Sequence, residues 1–179
     1  EQTLTGFNEF IENQKQLNDG ETCRISLYTF SDCLEIIYEN RELKDAELLT
    51  RENYKPEGCT ALLDSMGEIL QKLTEDEKTV FLIITDGEEN SSHTYNSKQI
   101  RESIESKREY LETVYIGSNQ DAVLESQQFG GSQGLNYNNT RQVYSTLSAA
   151  VTRMRSHQSP GIEFTQEERI SVMTPLSNY

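Results

Sequence analysis

Thr60 and Asp86 are the two residues whose types and placement could do chemistry together. Residues Val80-Phe81-Leu82-Ile83-Ile84-Thr85-Asp86-Gly87-Glu88-Glu89-Asn90 form an unbroken apolar run that ends in an acidic, turn-forming cluster. Such a run is the pattern of a parallel strand covered on both faces, and it puts Asp86 at the strand's carboxyl end. In open α/β sheets, ligands and metals sit at that edge. Upstream, Pro56-Glu57-Gly58-Cys59-Thr60 leads into a helical pattern and offers a second oxygen near a helix start. A hydroxyl and a carboxylate are hard donors, so the pair points to a hard cation rather than to a histidine- or cysteine-based site. Each residue also has a plainer role. Asp86-Gly87 is a natural turn after a strand, and Thr60 is a natural helix N-cap.

The elements that must hold these residues follow from periodicity. Leu4, Phe7, Phe10, Ile11 and Leu17 predict an opening helix over 3–17, stopped by Asn18-Asp19-Gly20. Residues 22–30 and 33–39 predict two strands joined by a tight turn, hence an antiparallel hairpin. From Thr60, the spacing of Leu62, Leu63, Met66, Ile69, Leu70 and Leu73 predicts an amphipathic helix. A strand over 79–85, a helix from about Ser97 to Tyr110 and a strand over 112–117 follow. After these come a short helix over Asp121 to Phe129, a weak strand at 134–137 and a helix from Thr140, its N-cap, to about Arg155. Alternating helices and strands predict an α/β fold: a doubly wound, mostly parallel sheet, Rossmann-like, with helices on both faces and the hairpin as one antiparallel edge. The domain is expected over 1–157, and 158–179 as a tail, flexible or bound to a partner. No strand precedes the opening helix to form the middle of such a sheet.

These residues carry a family resemblance. Gly58-Cys59-Thr60-Ala61-Leu62-Leu63-Asp64 and Ile83-Ile84-Thr85-Asp86-Gly87-Glu88-Glu89-Asn90 resemble the second and third metal-site motifs of von Willebrand factor type A domains. The likeness is to bacterial and phage members, and the order of elements agrees over roughly 1–157. Tyr115-Ile116-Gly117-Ser118-Asn119-Gln120-Asp121 also resembles a strand-to-loop segment of those members. The resemblance implies a metal-ion-dependent adhesion site for Mg²⁺ or Mn²⁺. In it Thr60 Oγ1 and Asp86 would be ligands, and one position would remain for a partner's carboxylate. It also implies a non-catalytic protein-interaction module. Glu88, Glu89 and Asn90 are the candidate partner-binding residues beside the metal. The family's first motif, Asp-x-Ser-x-Ser, occurs nowhere in residues 1–179. It would stand at the end of the central strand, just before the opening helix. Three origins fit: residues upstream, which is the preferred one, a strand from another chain, or loss of the metal with the fold kept.

Composition narrows the partners. The chain of 179 residues has 30 acidic against 16 basic side chains, a net charge of −14. That charge repels nucleic-acid backbones and anionic membranes, and favours cations or basic partners. Cys23, Cys33 and Cys59 have no metal-ligand spacing and read as reduced thiols of a cytoplasmic protein. Cys23 and Cys33 flank the predicted hairpin and could pair under oxidation. The chain starts at Glu1, so an upstream targeting segment stays open. His93 and His157 are isolated, which disfavours zinc, and the glycines at 130, 131 and 134 lack phosphate-loop spacing. No enzyme is expected. A Mg²⁺-dependent phosphohydrolase of haloacid-dehalogenase type would need Asp-x-Asp where the chain has Asp86 and Glu88. The stronger alternative is a metal-free assembly subunit or oligomer completed by a strand from another chain.

Overall fold

The computed structural model describes residues 2–17, 20, 22–55, 58–118 and 122–174. In chain order the elements are α1 (Gln2–Lys15), β1 (Arg24–Phe30), β2 (Leu34–Glu42), a 3-10 turn (Leu43–Asp45), α2 (Leu62–Lys72), β3 (Thr79–Thr85), α3 (Ser97–Ser106), β4 (Leu111–Ser118), α4 (Ala122–Gln128), β5 (Gln133–Tyr137), α5 (Thr140–Arg155) and α6 (Gln166–Met173). The fold is α/β, with a three-stranded parallel sheet ordered β3-β4-β5 and a hairpin, β1-β2. The expected strand over 79–85 and helix over 140–155 are met to the residue. The expected stops at 18–19, the start at Pro56-Glu57 and the helix start at Asp121 lie outside the described residues.

The chain divides into two compact units. One comprises the hairpin tip and residues 57–137. Here β4 is the central strand, and its Val114, Tyr115 and Ile116 are all but inaccessible. One face carries Ile83 and Tyr115 under Leu62, Met66 and Leu70 of α2, Ile100 and Ile104 of α3, and Phe129 after α4. Val114 and Ile116 are buried on the opposite face, so β4 is covered on both sides as its apolar run demands. Gly134 lets β5 approach α4 closely, because a Cβ there would lie 2.5 Å from the Ala122 carbonyl oxygen.

The other unit holds α1, most of the hairpin, α5 and α6. Helices α1 and α5 pack through Phe7 and Tyr144, whose rings meet edge to face with centroids 6.4 Å apart. Gly6 is seated directly on the Tyr144 ring. Gln14, buried, donates through its side chain to the Ser148 carbonyl (3.1 Å), Ser148 Oγ and Thr152 Oγ1, while its Oε1 accepts from Arg155 (3.2 Å). These bonds satisfy a polar side chain that would otherwise be costly to bury.

Three expectations are corrected. The hairpin was expected as an edge of the parallel sheet; instead it forms a two-stranded sheet of its own. Its strands satisfy one another across the tight turn, and among the described residues no strand is bonded to both sheets. The N-cap of α5 is Asn139, whose side chain accepts the Gln142 N–H (3.1 Å), and Thr140 is the first helical residue. Asparagine caps at least as well as threonine, and it comes first in the chain. From residue 158, expected as a tail, the chain is folded as far as 174. Ile162, Phe164 and Val172 are buried, and Thr165 and Glu168 form a capping box that starts α6. Arg153 of α5 grips both Glu168 oxygens (2.7 and 2.8 Å) and the Glu163 carbonyl (2.6 Å). Burial pushes the Glu168 carboxyl up, but the bonds from Arg153 and Thr165 outweigh it and hold the group below its ordinary value.

Replacing Arg153 by alanine should cost about 2 kcal/mol, the usual loss for hydrogen bonds to a charged group in a partly buried site. Amides of 166–173 should then exchange faster while those of α5 keep their protection. Urea unfolding with hydrogen exchange measures both.

Candidate functional site

Helix α2 begins at Leu62 with Ala61 in the N-cap position, which has no side chain to offer. The first N–H groups of any helix lack intrahelical partners. Here the loop after β3 supplies them. Glu89 Oε2 accepts the Leu63 N–H (2.9 Å) and Ser92 Oγ accepts the Asp64 N–H (3.0 Å). Thr60 and Asn90 join by two bonds, from the Thr60 N–H to Asn90 Oδ1 (2.9 Å) and from the Asn90 N–H to the Thr60 carbonyl (3.1 Å). The helix reciprocates. The Asp64 carboxylate accepts the N–H groups of His93, Thr94 and Tyr95 at 2.8–2.9 Å. Tyr95 then lies on α2 at Gly67, where a Cβ would fall 2.5 Å from the ring.

This clasp sets the positions of the expected ligands. Thr85, buried, bonds through its hydroxyl to the backbone of Gly87 in both directions at 3.1 Å, which fixes the turn that carries Asp86. Thr60 Oγ1 lies against that turn, only 2.6 Å from where a Cβ of residue 87 would stand. Thus the Thr60 hydroxyl and the Asp86-Gly87 step meet at the carboxyl end of β3. Asp86, Glu88 and Asn90 are exposed, and Thr60 is half-buried. Glu89 differs from its neighbours. Besides Leu63, its carboxylate accepts the N–H groups of Ser91 (2.9 Å) and Ser92 (2.7 Å) and the Ser92 hydroxyl (2.7 Å).

Burial pushes the carboxyls of Glu89 and Asp64 up, yet the converging N–H donors win, and both titrate below their ordinary values of 4.5 and 3.8. Sequence analysis missed the three backbone bonds of Asp64, as it missed Glu89 and Ser92 as the helix cap. One signal was available: the Glu-x-x-Ser spacing of 89–92 lets a carboxylate turn back on its own N–H groups.

As a cation site, the pair offers one hydroxyl and one carboxylate. Mg²⁺ keeps several waters and is often held by one or two protein carboxylates, so two oxygens fit a hydrated ion held weakly. Among the described residues no group of three histidine, cysteine or acidic side chains could hold a metal. None of the three cysteines forms a disulfide.

No protein-family model and no curated protein matches the chain. Among solved structures, the ArnB paralog VWA2 from Sulfolobus acidocaldarius superimposes with a TM-score of 0.57 at 19% identity, over 83% of this chain. The fold is von Willebrand A-like. The match spans 39% of the length of VWA2. At that identity the likeness concerns the fold alone, and the site has to be argued from its own residues.

Both clasp carboxylates have folded-state values below their ordinary ones, so their stabilisation is complete above about pH 5 and fades as pH falls through the depressed values. The loop at 88–95 should therefore leave α2 in acid, with little change between pH 6 and 8. Glu89→Gln should remove part of that acid sensitivity and cost about 1 kcal/mol, a modest figure for a half-exposed group. Thermal unfolding of both proteins from pH 3 to 8 measures it.

Proposed function

We propose that the chain is a non-catalytic protein-interaction module of von Willebrand A type, similar to bacterial and phage members and working in the cytoplasm. It takes a protein partner at the carboxyl end of β3. Thr60 Oγ1 and Asp86 are the chain's ligands to Mg²⁺ or Mn²⁺, and an acidic residue of the partner completes the site. When bound, the cation would supply the positive charge that lets an acidic partner approach Asp86. Glu88 and Asn90 form the rim that meets the partner, and Glu89 holds that rim to α2.

The observation that carries this reading is the Thr60 hydroxyl set against the Asp86-Gly87 turn by bonds on both sides of it. Charge agrees with it. A chain at −14 attracts a divalent cation and repels nucleic acid and anionic lipid. Among the described residues no helix is long and apolar enough to cross a membrane.

Mn²⁺ titration calorimetry tests it. Saturable one-site binding is expected, with a dissociation constant on the order of millimolar because most of the ion's water remains. Asp86→Ala should abolish it, and Thr60→Val, which keeps the shape and loses the oxygen, should weaken it. Absence of binding in the unmodified chain would sink the metal-bridged reading.

A further inference from the structure

Glycine at position 87 is both required and hazardous. It is required because Thr60 Oγ1 lies 2.6 Å from where a Cβ of residue 87 would stand, so a side chain there would force the two segments apart. It is hazardous because Asp86 precedes it. The backbone nitrogen of the next residue can attack an aspartate carboxyl. The attack is easiest when that residue is glycine, which has no side chain in the way and the widest backbone freedom. Asp86 is exposed, so its carboxyl is open to proton and water exchange. One arrangement opposes the reaction. The Gly87 N–H donates to Thr85 Oγ1 (3.1 Å), and the Thr85 hydroxyl bonds to the Gly87 carbonyl (3.1 Å). Thr85 is itself fixed, buried at 7% exposure and paired with Gly117 across β3 and β4.

We infer that Asp86-Gly87 is a site of spontaneous aspartate isomerisation and that Thr85 holds the reaction in check. The Gly87 nitrogen forms a bond to Asp86 Cγ. The carboxyl hydroxyl and the amide proton leave together as water, and a cyclic imide remains. Water then opens the ring. Breaking the bond from nitrogen to Cγ restores aspartate. Breaking the bond from nitrogen to the Asp86 carbonyl carbon gives isoaspartate, whose main chain runs through the former side chain. The water lost in the first step returns in the second, and no other reactant is needed. To attack, the Gly87 nitrogen must release the proton it shares with Thr85 and turn toward Cγ. The bond to Thr85 Oγ1 resists both.

The product would not fit the site. Isoaspartate lengthens the main chain by one methylene beside Gly87, where Thr60 Oγ1 leaves no room for a further carbon. It also moves the free carboxylate to a different carbon. The contact that brings Thr60 and the 86–87 turn together therefore calls for the dipeptide most prone to rearrange, and Thr85 is the compensation. None of these steps involves a cation, so they stand or fall apart from the metal reading.

The full chain, held for weeks at neutral pH and physiological temperature, tests this. Isoaspartate at residue 86 is read by electron-transfer fragmentation of the peptide that contains it. Slow conversion is expected in the native chain and faster conversion in urea. Thr85→Val, which keeps the shape and loses the hydroxyl, should convert about five-fold faster than the native chain, the factor carried by one hydrogen bond. Thr85→Ser, which keeps the hydroxyl, should stay near the native rate. Circular dichroism checks that both variants are folded. If Thr85→Val does not fold, the native rate against the rate in urea decides. No isoaspartate at residue 86 even in urea, equal rates in the native chain and in urea, or equal rates in folded Thr85→Val and Thr85→Ser would each overturn the inference.

Discussion

Helix α2 starts without a side-chain cap of its own, and the carboxyl end of β3 is organised by how that deficit is met. Glu89 and Ser92 take the open N–H groups, and Asp64 returns the favour by taking three N–H groups of the loop. Negative charge at a helix N-terminus is stabilising in its own right, so two carboxylates here cost less than they would elsewhere. The clasp also ties together segments about thirty residues apart, and it does so by bonds to backbone, whose position is fixed by the helix and the strand. Gly87 completes it. A side chain at 87 would push into Thr60 Oγ1, so close approach of the two motifs requires glycine.

The same arrangement separates two kinds of acid. Glu89 and Asp64 are consumed by internal donors and hold the loop. Asp86 and Glu88 stand exposed beyond the loop's bonds. An exposed carboxylate on a rigid turn loses little conformational freedom when it meets a cation, which is how weak ligands are made useful. At the other end of β3, exposed Glu75, Asp76 and Glu77 repeat the negative charge. The strand is thus an apolar segment between two acidic ends.

Much of this fold was legible in the sequence because its signals were local. The apolar run at 79–85 and the stripe of Val143, Leu147 and Ala150 each fit one period and one element. Residues 158–174 were illegible for the opposite reason. Helix α6 has a weak apolar stripe, and what holds it is Arg153 on another helix together with a capping box. The site was half legible. Thr60 and Asp86 stood out as oxygen donors at element ends, and their neighbourhood now rests on the Gly87 contact. The clasp did not stand out, because Glu89 looks like any solvated loop glutamate until the N-terminus of α2 is set against it. The Glu-x-x-Ser spacing shows that Glu89 can turn back on its own loop, not that it reaches a helix far upstream. The separate hairpin sheet was missed likewise, since local pattern defines strands but not which edges meet.

Residues 1–179 offer two oxygens at the proposed site, Thr60 Oγ1 and Asp86, and that number bears on how these two would work. A site with many protein ligands binds its ion first and its partner second, and the two steps are nearly independent. A site with two protein oxygens would bind the ion only weakly on its own, because the ion gives up little water and gains little. A partner's carboxylate would then be a large share of the ion's coordination. Ion and partner would each raise the other's affinity by the same factor, as linkage requires. Sparse coordination at Thr60 and Asp86 would therefore make the proposed interaction strongest when both are present. The ion alone would bind weakly, and the partner's carboxylate would tighten it.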